Sequence, residues 1–234
     1  MFETFEVKNM YVAIQAEMSL YSAGRTTGLA VDSGDGVTQF VPVFDGFSIP
    51  SAVEKMEIAG RVLTDYMEKL MVSGCGWYPP MGGADKEIVR DIKEKVCYVA
   101  QNYEQEQEEA QKSSEHDMTY TLPDRSQINI PASVRMSCPE LLFNPEKNGF
   151  YCQSIQDLTW SSVQKSDIET RRELCKNIIL SGGSSMYEGV VDRLKQEIVN
   201  MAPAGAAIRL VATADRKYAV FRGASTLASL STFN

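Results

Sequence analysis

Two glycine-rich turns, each following an apolar run, are the parts of this sequence best suited to chemistry. The first is Asp32-Ser33-Gly34-Asp35-Gly36, and the second is Ser181-Gly182-Gly183-Ser184-Ser185. Glycine lets backbone N–H groups approach phosphate oxygens closely, and consecutive N–H groups in a tight turn form an anion-binding concavity. The sequence therefore predicts phosphate binding at the turns. A plain hairpin and an ordinary strand-to-helix connection are the alternatives.

Charged and polar side chains near these turns are candidate partners of a ligand. Asp32 ends an apolar run, and a carboxylate in that position suits a magnesium ion held through water, because magnesium loses its hydration shell reluctantly. Gln15 stands where an apolar run becomes a predicted helix and is placed to orient a water molecule. Arg90, Lys93 and Glu94 are close together on a predicted helix, although each taken singly is typical of a solvated surface charge.

Composition argues against several other classes of function. His116 is the single histidine and lies in a polar stretch, so a Ser-His-Asp triad and a multi-histidine metal site are discarded. The five cysteines are widely spaced without a C-x-x-C pair, which favours a reducing compartment over a disulfide framework or a zinc site. Neither glycine-rich turn follows the P-loop or the dinucleotide-fold pattern.

Charge and hydropathy set the expected surroundings of the protein. The net charge is -8 and no dense Lys/Arg cluster occurs, so we expect no nucleic-acid partner. No apolar run approaches the length of a membrane span, and no secretory signal is visible. We therefore expect a cytoplasmic protein without membrane insertion.

The elements that must position the turns alternate between strands and helices. The pattern predicts a buried strand at residues 10–14, a helix at 15–22, a hairpin around Asp35-Gly36, and a long helix from Asp85 to about Ala110. Residues 74–83, with Pro79-Pro80 and Gly82-Gly83, are predicted to form a loop, and Ser166-Asp167-Ile168-Glu169 fits a capping box. This alternation predicts an α/β protein in which residues near 60–150 form an inserted lobe.

Blocks along the whole chain resemble the actin family, in the same order and at the same spacing. The blocks are Met10-Tyr11-Val12-Ala13-Ile14-Gln15-Ala16, Gly24-Arg25-Thr26-Thr27-Gly28, Asp32-Ser33-Gly34-Asp35-Gly36-Val37-Thr38, Ala59-Gly60-Arg61, Glu87-Ile88-Val89-Arg90-Asp91-Ile92-Lys93-Glu94-Lys95, Ser181-Gly182-Gly183, Met186-Tyr187, Arg216-Lys217-Tyr218 and Leu227-Ala228-Ser229-Leu230-Ser231-Thr232-Phe233. The resemblance implies the two-lobed, ribonuclease H-like ATPase fold of actin, and mainly its larger lobe.

The resemblance also implies a division of the chain. Residues 1–22 would belong to the base of the small lobe, residues 23–58 with 152–218 to the core of the large lobe, residues 59–151 to an inserted subdomain, and residues 219–234 to the return towards the small lobe. Actins carry a segment before Met1, with a first phosphate hairpin, and helices after Asn234. We therefore expect a partial chain that, by itself, holds ATP poorly.

The cofactors implied by the resemblance are ATP or ADP with Mg²⁺ (or Ca²⁺). Asp32 would hold the cation through water and, with Gln15, position the attacking water, near which Gln39 stands in place of the histidine of actin. The implied nucleotide contacts are Asp32, Gly34, Asp35, Gly36 and Val37 in the phosphate hairpin, and Gly60, Arg90, Lys93, Glu94, Gly182, Gly183, Ser184, Met186, Tyr187 and Lys217 around the ribose and adenine.

By resemblance, the function is that of an ATP-binding cytoskeletal protein that polymerises into filaments, with slow ATP hydrolysis coupled to assembly. Actin-binding proteins would dock at a groove near Tyr21, Gly24, Thr26 and Gly46. The alternative is a diverged actin-related scaffold subunit with weak or no ATPase activity and no filaments. Two departures favour it: Gln39 cannot accept a proton as imidazole does, and Lys147-Asn148-Gly149-Phe150 replaces an apolar plug that joins actin strands.

Overall fold

The computed structural model describes residues 1–79 and 83–233. The strands are β1 (Gly28–Ser33), β2 (Thr38–Phe44), β3 (Phe47–Ser48), β4 (Glu54–Met56), β5 (Met118–Thr121), β6 (Gln127–Ile130), β7 (Ile178–Ser181) and β8 (Leu210–Val211). The α-helices are α1 (Phe2–Phe5), α2 (Gln15–Ser22), α3 (Gly60–Cys75), α4 (Gly83–Val96), α5 (Tyr103–Lys112), α6 (Ala132–Glu140), α7 (Ile155–Lys165), α8 (Ile168–Lys176), α9 (Val190–Met201) and α10 (Ala219–Ala228). Short 3₁₀ helices lie at Pro50–Ala52, Glu146–Asn148, Gly183–Ser185, Arg216–Tyr218 and Ser231–Phe233.

A mixed sheet carries both glycine-rich turns. Its order is β3-β2-β1-β7-β8, and β4 also pairs with β2. β1 is antiparallel to β2 and parallel to β7, so β1 and β7 end at the same edge of the sheet, where Asp32 lies opposite Ser181. The predicted hairpin and the predicted α/β class are confirmed. Strands β5 and β6 form a separate antiparallel pair.

Both faces of the sheet are covered, which explains why β1 is apolar throughout its middle. Side chains alternate between faces along a strand. Leu29 and Val31 belong to the large core, with α3, α4, α6 and α9, whereas Ala30 belongs to a smaller core that α2 closes with Leu20. A strand that is buried on both faces has a nearly continuous apolar sequence, as β1 does.

Two of the predicted elements are wrong. In each case, pairing with a distant segment, or the lack of such pairing, determines the secondary structure that the residues adopt. Residues 10–14 form no strand, and Val12 is 82% exposed, because no strand in the described ranges pairs with them. The predicted helix from Asp85 to about Ala110 is two helices, α4 and α5. Between them the Val99 N–H donates to the Glu188 carbonyl at 2.8 Å, and Asn102 caps α5. A backbone bond to a distant segment thus overrides the helical pattern.

The predicted capping box at Ser166 is also wrong. Ser166 is buried and its hydroxyl donates back to the Ser162 carbonyl at 2.9 Å, so it ends α7 and does not open α8. A capping box is present instead at the start of α7, between Ser154 and Asp157. Of the loop predicted at 74–83, residues 80–82 lie outside the described residues, while its ends belong to α3 and α4.

The division of the chain into lobes and an inserted subdomain stays a prediction. Within the described ranges, no helix has both the length and the apolar character that a membrane span requires.

One buried charged side chain joins three segments of the chain: α9, residues 140–143 and Ala100. Arg193 of α9 donates to both carboxylate oxygens of Glu140 at 3.3 Å, to Glu197 at 2.7 Å and to the Ala100 carbonyl at 2.8 Å. Its guanidinium also lies 5.0 Å from the centre of the Phe143 ring. Burial raises the pKa of Glu140, and this effect exceeds the opposing pull of Arg193. Forming this pair therefore costs desolvation free energy, and removing one partner destabilises the fold further because the other charge stays buried.

We predict that Glu140→Gln lowers the free energy of unfolding by about 3–5 kcal/mol, because it removes the buried carboxylate of the pair and leaves the guanidinium only the partly exposed Glu197 carboxylate. Chemical denaturation followed by circular dichroism measures this. The matched control is Lys176→Ala, which removes a surface pair with Glu173 and should change stability by less than about 1 kcal/mol. Equal, small losses in both variants would contradict a structural role for the Arg193 pair.

Candidate functional site

The first turn keeps a set of free N–H groups. Gly34 N–H donates to the Val37 carbonyl at 3.2 Å and closes the turn. The N–H groups of Asp35, Gly36 and Val37 donate to no other residue in the ranges 1–79 and 83–233. Three successive free N–H groups in a tight turn are the arrangement that binds an anion.

The start of α3 holds this turn by its carbonyl groups. The Gly60 N–H donates to the Gly34 carbonyl at 3.0 Å, and the Arg61 N–H donates to the Asp35 carbonyl at 2.8 Å. The first N–H groups of a helix lack partners inside the helix. Here they satisfy the carbonyl groups of the turn and leave its N–H groups available.

The second turn packs directly against the first. Gly182 has φ +90°, and a Cβ there would collide with the Ser33 carbonyl oxygen, so the backbone approach requires glycine. The Ser184 hydroxyl donates to the Gly34 carbonyl at 2.8 Å. Arg216 holds the far side of the turn by donating to the Ser185 carbonyl at 2.7 and 3.0 Å. The two turns therefore form one rigid unit.

A cavity of about 550 Å³ opens between the turns, α3, α4 and the Arg216–Tyr218 turn. Its lining residues are Gly34, Asp35, Gly60, Arg90, Lys93, Glu94, Gly183, Ser184, Met186, Tyr187 and Lys217. All of them are among the candidate ligand residues predicted from the sequence. The volume falls within the range typical of small-molecule and cofactor sites.

Charges of both signs surround the cavity. Lys93 is buried, and its ammonium group donates to the Gly60 carbonyl at 2.7 Å and to the Thr64 hydroxyl at 2.9 Å. Burial lowers the pKa of Lys93, although the nearby Glu94 acts in the opposite direction. The Lys217 ammonium lies 3.6 Å from the Glu94 carboxylate. An anionic ligand would relieve part of the desolvation of Lys93.

Tyr187 lies at the inner wall of the cavity. Its side chain is buried, and its hydroxyl has no hydrogen-bond partner among the described residues. Burial raises the pKa of Tyr187 well above its ordinary value, so the phenol stays protonated. A buried donor without an acceptor is unusual in a folded protein.

Asp32 ends a short chain of hydrogen bonds from α2. The Ser19 hydroxyl donates to Ser181 at 3.0 Å, and the Ser181 hydroxyl donates to Asp32 Oδ1 at 2.7 Å. Gln39 lies opposite Asp32 in the β1–β2 pairing. In the described ranges, no three His, Cys, Asp or Glu side chains are arranged to hold a metal ion directly.

Some predicted site residues lie outside the lining of the cavity. Asp32, Gly36, Val37 and Gly182 belong to the two turns but do not line the cavity, and neither do Gln15, at the exposed start of α2, and Gln39. The sequence analysis placed Ser181 in the second turn but did not predict that it positions Asp32. It assigned no role to Thr64, which positions Lys93, or to Arg216, which positions the second turn. Only contacts between distant segments reveal these supporting roles.

The four residues predicted to form a partner groove, Tyr21, Gly24, Thr26 and Gly46, lie next to one another in the fold. The Gly46 N–H donates to the Thr26 carbonyl at 2.8 Å, and the Gly24 N–H donates to the Tyr21 carbonyl at 3.0 Å. A Cβ at Gly46 would lie 3.3 Å from the Tyr21 hydroxyl.

The residues of the cavity fit a phosphate-bearing ligand with a divalent cation. Free N–H groups of the first turn and Lys93 suit phosphate oxygens, and the Asp32 carboxylate, which lies at the end of β1 outside the cavity lining, suits the water shell of Mg²⁺. Among known proteins, a family model described as Actin matches residues 1–80 and 82–234.

We predict that Gly182→Ala lowers the free energy of unfolding by about 2 kcal/mol or more, because it adds both a backbone strain and a clash with Ser33. The control is Gly183→Ala, whose Cβ would meet no atom within 4 Å. Thermal and denaturant unfolding of both variants measure the difference. Equal stability of the two variants would show that the turns do not depend on this contact.

Proposed function

The chain belongs to the actin family, and on that premise we propose that it binds ATP with a divalent cation in the cavity between its two glycine-rich turns. The observation that carries this proposal is the set of free N–H groups at Asp35, Gly36 and Val37, in a turn whose Gly34 and Asp35 line the same cavity as Lys93. Phosphate is the common ligand of such an arrangement.

Each group has a separate role in this proposal. The first turn supplies N–H donors to phosphate oxygens, Lys93 supplies a buried positive charge, and the Ser184 hydroxyl keeps the turns together. Met186 and Tyr187 offer apolar surface to a base, and Glu94 offers a carboxylate to sugar hydroxyls. Asp32 would hold the cation through water, as would suit Mg²⁺ or Ca²⁺. When bound, the cation supplies charge neutralisation on the phosphates.

We propose slow ATP hydrolysis coupled to filament assembly, in which Gln15, Asp32 and Gln39 position water. The alternative, a scaffold subunit with weak or no hydrolysis and no filaments, is favoured by residues 146–150. The Tyr66 hydroxyl donates to Asn148 at 2.6 Å, the Tyr66 and Phe150 rings pack edge to face, and Lys147 pairs with Glu104. These contacts hold the segment against the body of the protein. Pelleting in magnesium and salt discriminates the two functions.

We further propose a cytoplasmic, cytoskeletal location and the lobe division expected from the sequence. The groove at Tyr21, Gly24, Thr26 and Gly46 would receive actin-binding proteins, and the chain would self-associate. The support for the groove is that these four residues lie next to one another in the fold.

We predict that Gly183→Leu abolishes ATP binding without loss of stability. Gly183 lines the cavity, needs no unusual backbone conformation, and has open space around it, so a larger side chain would fill the ligand volume. Equilibrium dialysis with labelled ATP and magnesium, carried to millimolar nucleotide, measures binding. Gly183→Ala is the size control and should retain most of it. ATP binding that survives in a folded Gly183→Leu protein would overturn the proposed site.

We predict that Gln39→His increases phosphate release from bound ATP by about tenfold or more, because imidazole accepts a proton and an amide does not. The gain should be larger at pH 7.5 than at pH 5.5, since histidine is neutral above an ordinary pKa of about 6.5. Gln39→Asn, which keeps the amide, is the control. Single-turnover phosphate release measures both variants. An unchanged rate in the histidine variant would remove position 39 from the mechanism.

A further inference from the structure

A cavity of about 290 Å³, separate from that of the glycine-rich turns, lies between the end of α7, helix α8 and the segment that leads from α9 to β8. Val163 and Cys175 are buried members of the large core, and the partly exposed Trp160 packs against that core. Because alanine side chains are short, residues 206 and 207 line this volume without filling it. The apolar wall consists of Trp160, Val163, Cys175, Pro203, Ala206 and Ala207.

Two neighbouring arginines of α8, Arg171 and Arg172, also line this apolar cavity. Within residues 1–79 and 83–233, neither guanidinium forms an ion pair with a carboxylate. The lysines at the ends of the same two helices differ, since Lys165 and Lys176 are each paired with a glutamate. The positive charge beside the cavity is therefore not balanced by an acidic side chain of the described ranges.

Backbone carbonyl groups fix Arg171. Its Nε donates to the Ser166 carbonyl at 2.9 Å, and its Nη2 donates to the Gln164 carbonyl at 2.5 Å. An arginine that donates to the last carbonyl groups of a helix complements the negative end of the helix dipole. The guanidinium of the exposed Arg172 has no hydrogen-bond partner in the described part of the chain, so its donors are available to a ligand.

We propose that this cavity binds a small apolar monocarboxylate of the medium-chain fatty acid class. The apolar wall would contact the hydrocarbon chain, and Arg172 would bind the carboxylate, whose two oxygens match the planar guanidinium. An apolar wall with a few placed polar groups is typical of small-molecule sites. One available guanidinium balances one negative charge, which favours a monocarboxylate over a phosphate ester.

The cavity also limits the size of the ligand. Its volume of about 290 Å³ is at the lower end of the range for small-molecule sites, which suits a ligand of about ten non-hydrogen atoms, the size of octanoate. The net charge of -8 opposes a general attraction of anions to the surface. Stoichiometric uptake of a carboxylate would therefore have to come from a local arrangement such as this one.

The test uses the 234-residue chain without nucleotide, so its outcome is independent of ATP binding. Equilibrium dialysis with labelled octanoate, carried to millimolar ligand, measures stoichiometry and affinity. In a Trp77→Phe background, Trp160 is the sole tryptophan, and its emission reports binding at the cavity. We expect one octanoate per chain and a saturable change of Trp160 emission with the same midpoint. The affinity should exceed those of 1-octanol and of acetate by at least about tenfold.

Variants separate the contributions of charge and cavity. Arg172→Gln should lower the octanoate affinity by about tenfold or more and leave 1-octanol binding unchanged. Arg172→Lys, which keeps the charge without the planar fork, should give an intermediate affinity. The matched control is Arg125→Gln, an exposed arginine between β5 and β6 that does not line the cavity. Ala206→Leu should weaken binding of both octanoate and 1-octanol by partly filling the cavity, and unfolding curves confirm that each variant is folded.

Four results would each contradict the proposal. The first is the absence of saturable octanoate uptake in dialysis. The second is 1-octanol binding as tightly as octanoate, which would identify an apolar cavity without carboxylate recognition. The third is an equal octanoate affinity in Arg172→Gln and Arg125→Gln. The fourth is full octanoate binding in a folded Ala206→Leu protein, which would place the ligand elsewhere on the chain.

Discussion

The parallel pairing of β1 with β7 is the constraint on which the candidate site depends. It places Asp32 opposite Ser181, 149 positions later, and thereby brings two turns from distant parts of the chain to one edge of the sheet. The contact between Gly182 and the Ser33 carbonyl then sets the distance between the turns. Because both strands are buried on two faces, their register cannot slip without exposing apolar side chains. The geometry of the cavity is therefore fixed by the core.

Electrostatics at this edge follow from the same packing. The first turn gives its carbonyl groups to the start of α3, so its N–H groups stay free, and the carbonyl of Gly60 is available to hold Lys93. A buried ammonium bonded to neutral oxygens lacks a full counter-charge, which is why burial lowers the pKa of Lys93. The buried charge of Lys93 therefore favours an anion in the cavity, next to the turn whose backbone N–H groups are free to donate.

The sequence predicted secondary structure correctly where local residues determine it. It failed where contacts with distant segments determine whether a strand forms or a helix ends. The hairpin around Asp35-Gly36 follows from turn chemistry, and α2 follows from its periodicity. Residues 10–14 have the pattern of a strand but no partner, and the break between α4 and α5 depends on a bond to Glu188. The cavity lining was named through resemblance to a family. The hydrogen bonds of Lys93 carry no sequence signature, because its partners Gly60 and Thr64 lie about thirty residues earlier in the chain.

Helix α3 connects the separate features of the large core. Its first turn holds the glycine-rich hairpin through Gly60, its middle holds residues 146–150 through Tyr66, and Met67 accepts the Cys97 thiol. The helix has 16 residues and is about 24 Å long, and its interior lacks a proline that would kink it. A helix of this kind moves as a unit. Displacement of its first turn by a ligand in the cavity would therefore act directly on residues 146–150, and this would connect the proposed nucleotide site to the proposed assembly.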